Sequence, residues 1–174
     1  WIVDDSNFVR CYHFNCYATT DSCDYKALER PGYQDINVLN DYIARLNDAG
    51  FMVCYNHPNW SLQTLEDYGG LKGLFAMEIF NYSAMLDGID ADQEIPYDSL
   101  LRLGNRLFCV ASDDNHDRKP FGHPLNDSFG GFTMIKADSL SYNSLIDALK
   151  KGNFYASMGP EIYALYIEDG KLNI

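Results

Sequence analysis

Three short apolar runs in this chain each lead into side chains able to bind metal or move protons. FMVCY (Phe51 to Tyr55) runs straight into Asn56, His57, Pro58 and Asn59. LFAMEIF (Leu74 to Phe80) carries Glu78 and is followed by Asn81. LFCVAS (Leu107 to Ser112) leads into Asp113, Asp114, Asn115 and His116. Imidazole and carboxylate are the ligands that first-row divalent ions take when a site must stay open to water or substrate. In an extended segment residues i and i+2 point to one side, so Asp114 and His116 can chelate one ion or two neighbouring ones. Neutral imidazole and ionised carboxylate both bind metal near neutral pH without a large proton cost. Left unpaired at a strand end, the same groups would be costly to desolvate.

Each residue also has an ordinary reading. His57 alone suits a hydrogen-bonded histidine in the turn before Pro58. Glu78, among strongly apolar neighbours, suits a buried carboxylate paired with a cation. Asp113, Asp114 and Asp117 suit a solvated loop, because Asp and Asn are common turn residues. His123, before Pro124, has no spacing that marks it. The coincidence of all three strand ends favours a site.

The elements that must position these groups alternate. Phe8 to Ala18 is aromatic and β-branched and reads as a strand. Asp35 to Ala49 reads as a helix, with Ile36, Leu39, Ile43 and Leu46 on one face and Gly50 as the stop. Phe51–Tyr55, Leu74–Phe80 and Leu107–Ser112 read as strands covered on both faces. Between them Ser61–Tyr68 and Pro96–Leu103 read as helices. Gly130–Ala137 is a further strand, Tyr142–Lys151 a helix, and Phe154–Ser157 a short strand. The end reads as a hairpin around Asp169-Gly170. Strands and helices alternating every 25 to 30 residues or so predict βα units and a largely parallel sheet or barrel. In such architectures the C-terminal strand ends share one face, and that face holds the active site. Residues 1–174 read as a single domain, with 154–174 as its C-terminal strand and hairpin.

Composition narrows the partners. A net charge of −12, from 13 basic and 25 acidic residues, repels a polyanion and predicts no nucleic-acid partner. No run of about 18 apolar residues occurs, so no membrane span is expected. The five cysteines, Cys11, Cys16, Cys23, Cys54 and Cys109, form no C-x-x-C pair, which argues against a zinc finger or disulfide framework. Cys54 and Cys109 lie inside apolar runs, and a reducing, cytoplasmic compartment is expected.

In order, NHPN, AMEIFN, ASDDNH and GGFTMIKADSLSYNSLIDALKKGNFYASMGPEI resemble the PHP (polymerase and histidinol phosphatase) family of metal-dependent phosphoesterases, and KKGNFYASMGPEI is most like the small, stand-alone bacterial members. The resemblance implies a distorted (β/α)7 barrel with two or three divalent ions, zinc, manganese or iron, at its C-terminal strand ends. It implies that His57, Asp114 and His116 are metal ligands, that His13 in YHFN is another, and that Glu78 lies behind the ligands or on the substrate side. The family's opening H-x-H motif, its T-D-H motif and a glutamate ending the third strand have no counterpart here. With βα units of about 30 residues, the resemblance therefore implies a barrel incomplete at its N-terminus, short of roughly 70 to 90 residues.

The expected reaction is hydrolysis of a small phosphorylated substrate by metal-activated water. Asp113 and Glu78 are the candidate catalytic carboxylates, Asp113 or His123 positioning substrate or shuttling a proton. Arg118 or Lys119 is the candidate cation for the phosphate. Two alternatives stay open: an amidohydrolase-type hydrolase using the same ligands, and a non-catalytic binding module derived from the same fold.

Overall fold

The computed structural model describes residues 1–33 and 35–174, with residues 7–9 as backbone only. A five-stranded sheet runs in the order β1 (Ile2–Asp4), β2 (Asn7–Ala18), β3 (Phe51–Asn56), β4 (Ala76–Asn81), β5 (Phe108–Ser112). Strand β2 is antiparallel to both β1 and β3, whereas β3, β4 and β5 are mutually parallel. Among the described residues two further strands, β6 (Phe132–Ile135) and β7 (Phe154–Ser157), pair only with each other, as do β8 (Tyr166–Glu168) and β9 (Lys171–Asn173).

This corrects the barrel expectation. The sheet is open and mixed, and no closed barrel, complete or partial, forms among the described residues. Direction is one cause: alternating strands and helices predict a largely parallel sheet, but the stretch joining β2 to β3 returns the chain antiparallel, with His13 opposite Asn56 and Ala18 opposite Phe51. The second cause lies beyond β5. There the Thr133 hydroxyl accepts from the Ala111 amide at 3.1 Å and donates to the Ala111 carbonyl at 2.9 Å. A side chain thus takes both backbone groups of Ala111, which a sixth ladder strand would otherwise pair.

The longest helix, α1 (Ile36–Asp48), begins where the Asp35 carboxylate accepts from the amides of Asn37 at 2.8 Å and Val38 at 3.4 Å. It ends before Gly50, whose φ of 93° is one that glycine adopts without strain. Its apolar stripe, Leu39, Tyr42, Ile43 and Leu46, is buried against Val53, Tyr55 and Met77 of the sheet. Each such fully buried aliphatic side chain stabilises the fold by roughly 1.5–3 kcal/mol. The alternate positions Cys54, Ala76 and Val110 cluster with Phe75 and Phe154, so β3 is covered on both sides. The short helices α2 (Leu65–Tyr68) and α3 (Tyr82–Leu86) follow β3 and β4, and α4 (Glu94–Arg102) leads toward β5. Helix α5 (Tyr142–Lys150) joins β6 to β7. Among the described residues no helix is long and apolar enough to cross a membrane.

Candidate functional site

Strands β3, β4 and β5 end side by side, and the chain turns sharply after each. Two of these turns place non-glycine residues in the left-handed region, His57 at φ 31° and Asp114 at φ 47°. Such backbone costs about 1 kcal/mol or more, and residues held there are disproportionately functional. The turns bring His57, Asp114 and His116 to the wall of one cavity of about 110 Å³, shared with Trp60, Asp87 and Arg118.

His57 is the buried member, 1% exposed. Its Nε2 lies 2.7 Å from His13 Nδ1, and its own Nδ1 lies 3.2 Å from the Ser61 hydroxyl. With the proton on Nδ1 donated to Ser61, Nε2 accepts from the His13 Nδ1–H, and a divalent ion would take the place of that shared proton. Burial lowers the pKa of His57 against the opposing pull of Asp114, and burial together with His57 lowers that of His13 to about 3. Both rings are therefore neutral at physiological pH. The Trp1 indole stacks on His13 with ring centres 4.1 Å apart, and Trp60 meets His57 edge-on.

Asn81 connects the two carboxylates. Its Oδ1 accepts from the Ala84 amide at 2.8 Å and caps α3, which fixes the direction of the side-chain amide. Its Nδ2 therefore faces Glu78 Oε2 at 3.1 Å and Asp114 Oδ2 at 3.2 Å. Glu78 is 2% exposed and also accepts from the Ser112 hydroxyl at 2.5 Å. Burial raises its pKa to about 7, with the Ser112 and Asn81 hydrogen bonds opposing the rise. No cation pairs with it among the salt bridges of the described residues.

The other sequence candidates sit elsewhere. The Asp113 carboxylate accepts from the amides of Phe129, Gly130 and Gly131 at 2.6, 2.8 and 2.9 Å, and it does not line the cavity. His123 accepts from the Leu125 amide at 3.0 Å within its own loop, and Lys119 is an exposed loop residue. Arg118 does reach the cavity. There its guanidinium is bidentate to Asp87 at 2.5 and 3.0 Å and donates to the Ser83 hydroxyl at 2.7 Å. The His116 backbone is held by Asp127, a fully buried carboxylate 2.7 Å from its amide.

Asp87, Ser61, Trp60 and the bridging role of Asn81 escaped the sequence reading. Asn81 closes the AMEIFN motif and Trp60 directly follows NHPN, and those positions were the available signal. Asp87 had none.

The donor types present, two facing imidazoles with carboxylates and amides nearby, suit a borderline divalent ion. Among the described residues, however, no group of three or more His, Cys, Asp or Glu is arranged to hold one. The chain matches no family model and no curated protein.

Proposed function

We propose that the cavity beside His57 is the site of a metal-dependent hydrolase acting on a small phosphorylated molecule. The observation that supports this reading is the meeting of His57, Asp114 and His116, delivered by separate strand ends, at one cavity that also exposes a guanidinium. The order of NHPN, AMEIFN and ASDDNH, which resembles the PHP family, supports the same reading. His57, His13, Asp114 and His116 are the residues that would hold divalent ions, zinc, manganese or iron. A bound divalent ion supplies acidification of water and neutralisation of phosphoryl charge.

The chain's own residues do the remaining work. Ser61 orients the His57 ring. Trp1 and Trp60 wall the imidazoles from bulk water. Arg118 presents a planar fork suited to two phosphate oxygens, with Asp87 as its partner when no anion is bound. Asn81, fixed by the Ala84 amide and shared with Glu78, donates to the Asp114 carboxylate. Asp113 is a positioning residue that ties the segment after β5 to the approach of β6. Five free cysteines suit a reducing, cytoplasmic compartment.

A second reading, a non-catalytic binding module, is favoured by the absence of a three-member His/Cys/Asp/Glu group among the described residues. Calorimetry with Mn²⁺ and Zn²⁺ separates the two, run on the wild type and on a His57→Ala, His116→Ala double variant. Hydrolysis of an aryl phosphate, an aryl phosphodiester and an anilide is measured alongside. The hydrolase reading expects metal binding that the double variant loses, with the phosphate esters preferred over the anilide. Equal metal binding by both proteins, or a wild type inert on every ester, would overturn it.

A further inference from the structure

Asn56 is the last residue of β3 and is 3% exposed, and its side-chain oxygen is enclosed with no hydrogen-bond partner. A buried acceptor left without a donor destabilises a fold, so such an atom in a well-packed strand calls for a physical reason. Its position supplies one. Asn56 stands directly opposite His13 in the β2–β3 register, so the two side chains leave the same face of the sheet with Cβ atoms about 5 Å apart. The next residue, His57, turns out of the strand in the left-handed region and brings its Nε2 to 2.7 Å from His13 Nδ1. The enclosed amide oxygen thus belongs to the side chain cross-strand from His13, whose Nδ1 faces His57 Nε2. Amide oxygens ligate divalent ions readily, alone or beside imidazole. A carbonyl oxygen also falls outside the His, Cys, Asp and Glu donors, which form no trio among the described residues.

We propose that the Asn56 side-chain oxygen is the third donor, with His13 and His57, of a divalent cation site at the β2–β3 end. The inference rests on the metal-dependent reading of the site and adds to it a ligand of a different chemical kind. A tightly held water donating to the same oxygen is the competing account.

Mn²⁺ is titrated by calorimetry into the chelator-stripped 174-residue chain, and free Mn²⁺ is followed by its electron paramagnetic resonance signal. The proteins are the wild type, Asn56→Leu, Asn56→Asp and His13→Ala, each checked by circular dichroism. Asn56→Leu is expected to weaken Mn²⁺ binding roughly tenfold or more, and Asn56→Asp to keep or tighten it. In chelator, Asn56→Leu is expected to melt no lower than the wild type, since it removes an unsatisfied oxygen. If Asn56→Leu binds Mn²⁺ as tightly as the wild type while His13→Ala loses it, Asn56 is no ligand and the metal reading survives. If the wild type binds no Mn²⁺, the functional reading itself falls, and this proposal with it. Should Asn56→Leu fail to fold, Asn56→Asp decides, and a loss of Mn²⁺ affinity on gaining a carboxylate overturns the proposal.

Discussion

Substituting Glu78 by Gln tests the account of the sheet interior most directly. The carboxyl is 2% exposed, and burial moves its pKa from 4.5 to about 7. At about 1.4 kcal/mol per pH unit, that shift corresponds to roughly 3 kcal/mol between the two protonation states. The folded-state pKa lies above the unfolded one. The contribution is therefore complete below about pH 4.5 and is lost as pH rises through about 7. Glutamine imitates the protonated form: its oxygen can face Asn81 Nδ2, and its amide can donate to the Ser112 hydroxyl. The difference in unfolding free energy, variant minus wild type, should rise by about 2 kcal/mol between about pH 5.5 and about pH 8. Urea denaturation followed by tryptophan fluorescence, with chelator present at each pH, measures it. A difference independent of pH, or one that falls as pH rises, would refute the assignment of Glu78 as a desolvated, unpaired carboxyl.

Two other substitutions test the loops around the cavity. Asp113→Ala strips the acceptor from three backbone amides and should destabilise the protein by about 3 kcal/mol, read as a lowered urea midpoint. Asp87→Asn removes the charge competing for Arg118 and should tighten inorganic phosphate binding by roughly threefold or more in calorimetry, unchanged affinity arguing that Arg118 does not meet the anion.

Periodicity and stop signals made most elements readable. The helix read as Asp35–Ala49 is Ile36–Asp48, and the strand read as Phe51–Tyr55 extends only to Asn56. The hairpin at Asp169-Gly170 and strand Phe154–Ser157 lie where the turn residues put them. Strand direction was not readable. A buried strand shows the same apolar composition whether its neighbour runs with it or against it, so nothing in FVRCYHFNCYA marks β2 as antiparallel to β3. The Thr133 stitch was equally hidden, because a threonine in GGFTMIKA reads as an ordinary strand residue. The site was legible to the extent that strand ends carry it. His57, Asp114 and His116 share one cavity. The carboxylate of Asp113, adjacent to Asp114, is spent on backbone amides, and sequence cannot tell which of two consecutive aspartates faces which way. The barrel failed for the same reason as the strand direction: alternation counts elements and says nothing about how an edge is closed.

The left-handed backbone at Asp114 sets stability and use against each other. Glycine there would relax the main chain by about 1 kcal/mol, and the partly buried carboxylate it removes is hydrogen-bonded to Asn81. A screen that rewards heat tolerance alone would accept that exchange and discard the side chain the cavity depends on. Thermostable variants of this chain should therefore be checked at residue 114 before they are trusted to retain whatever they bind.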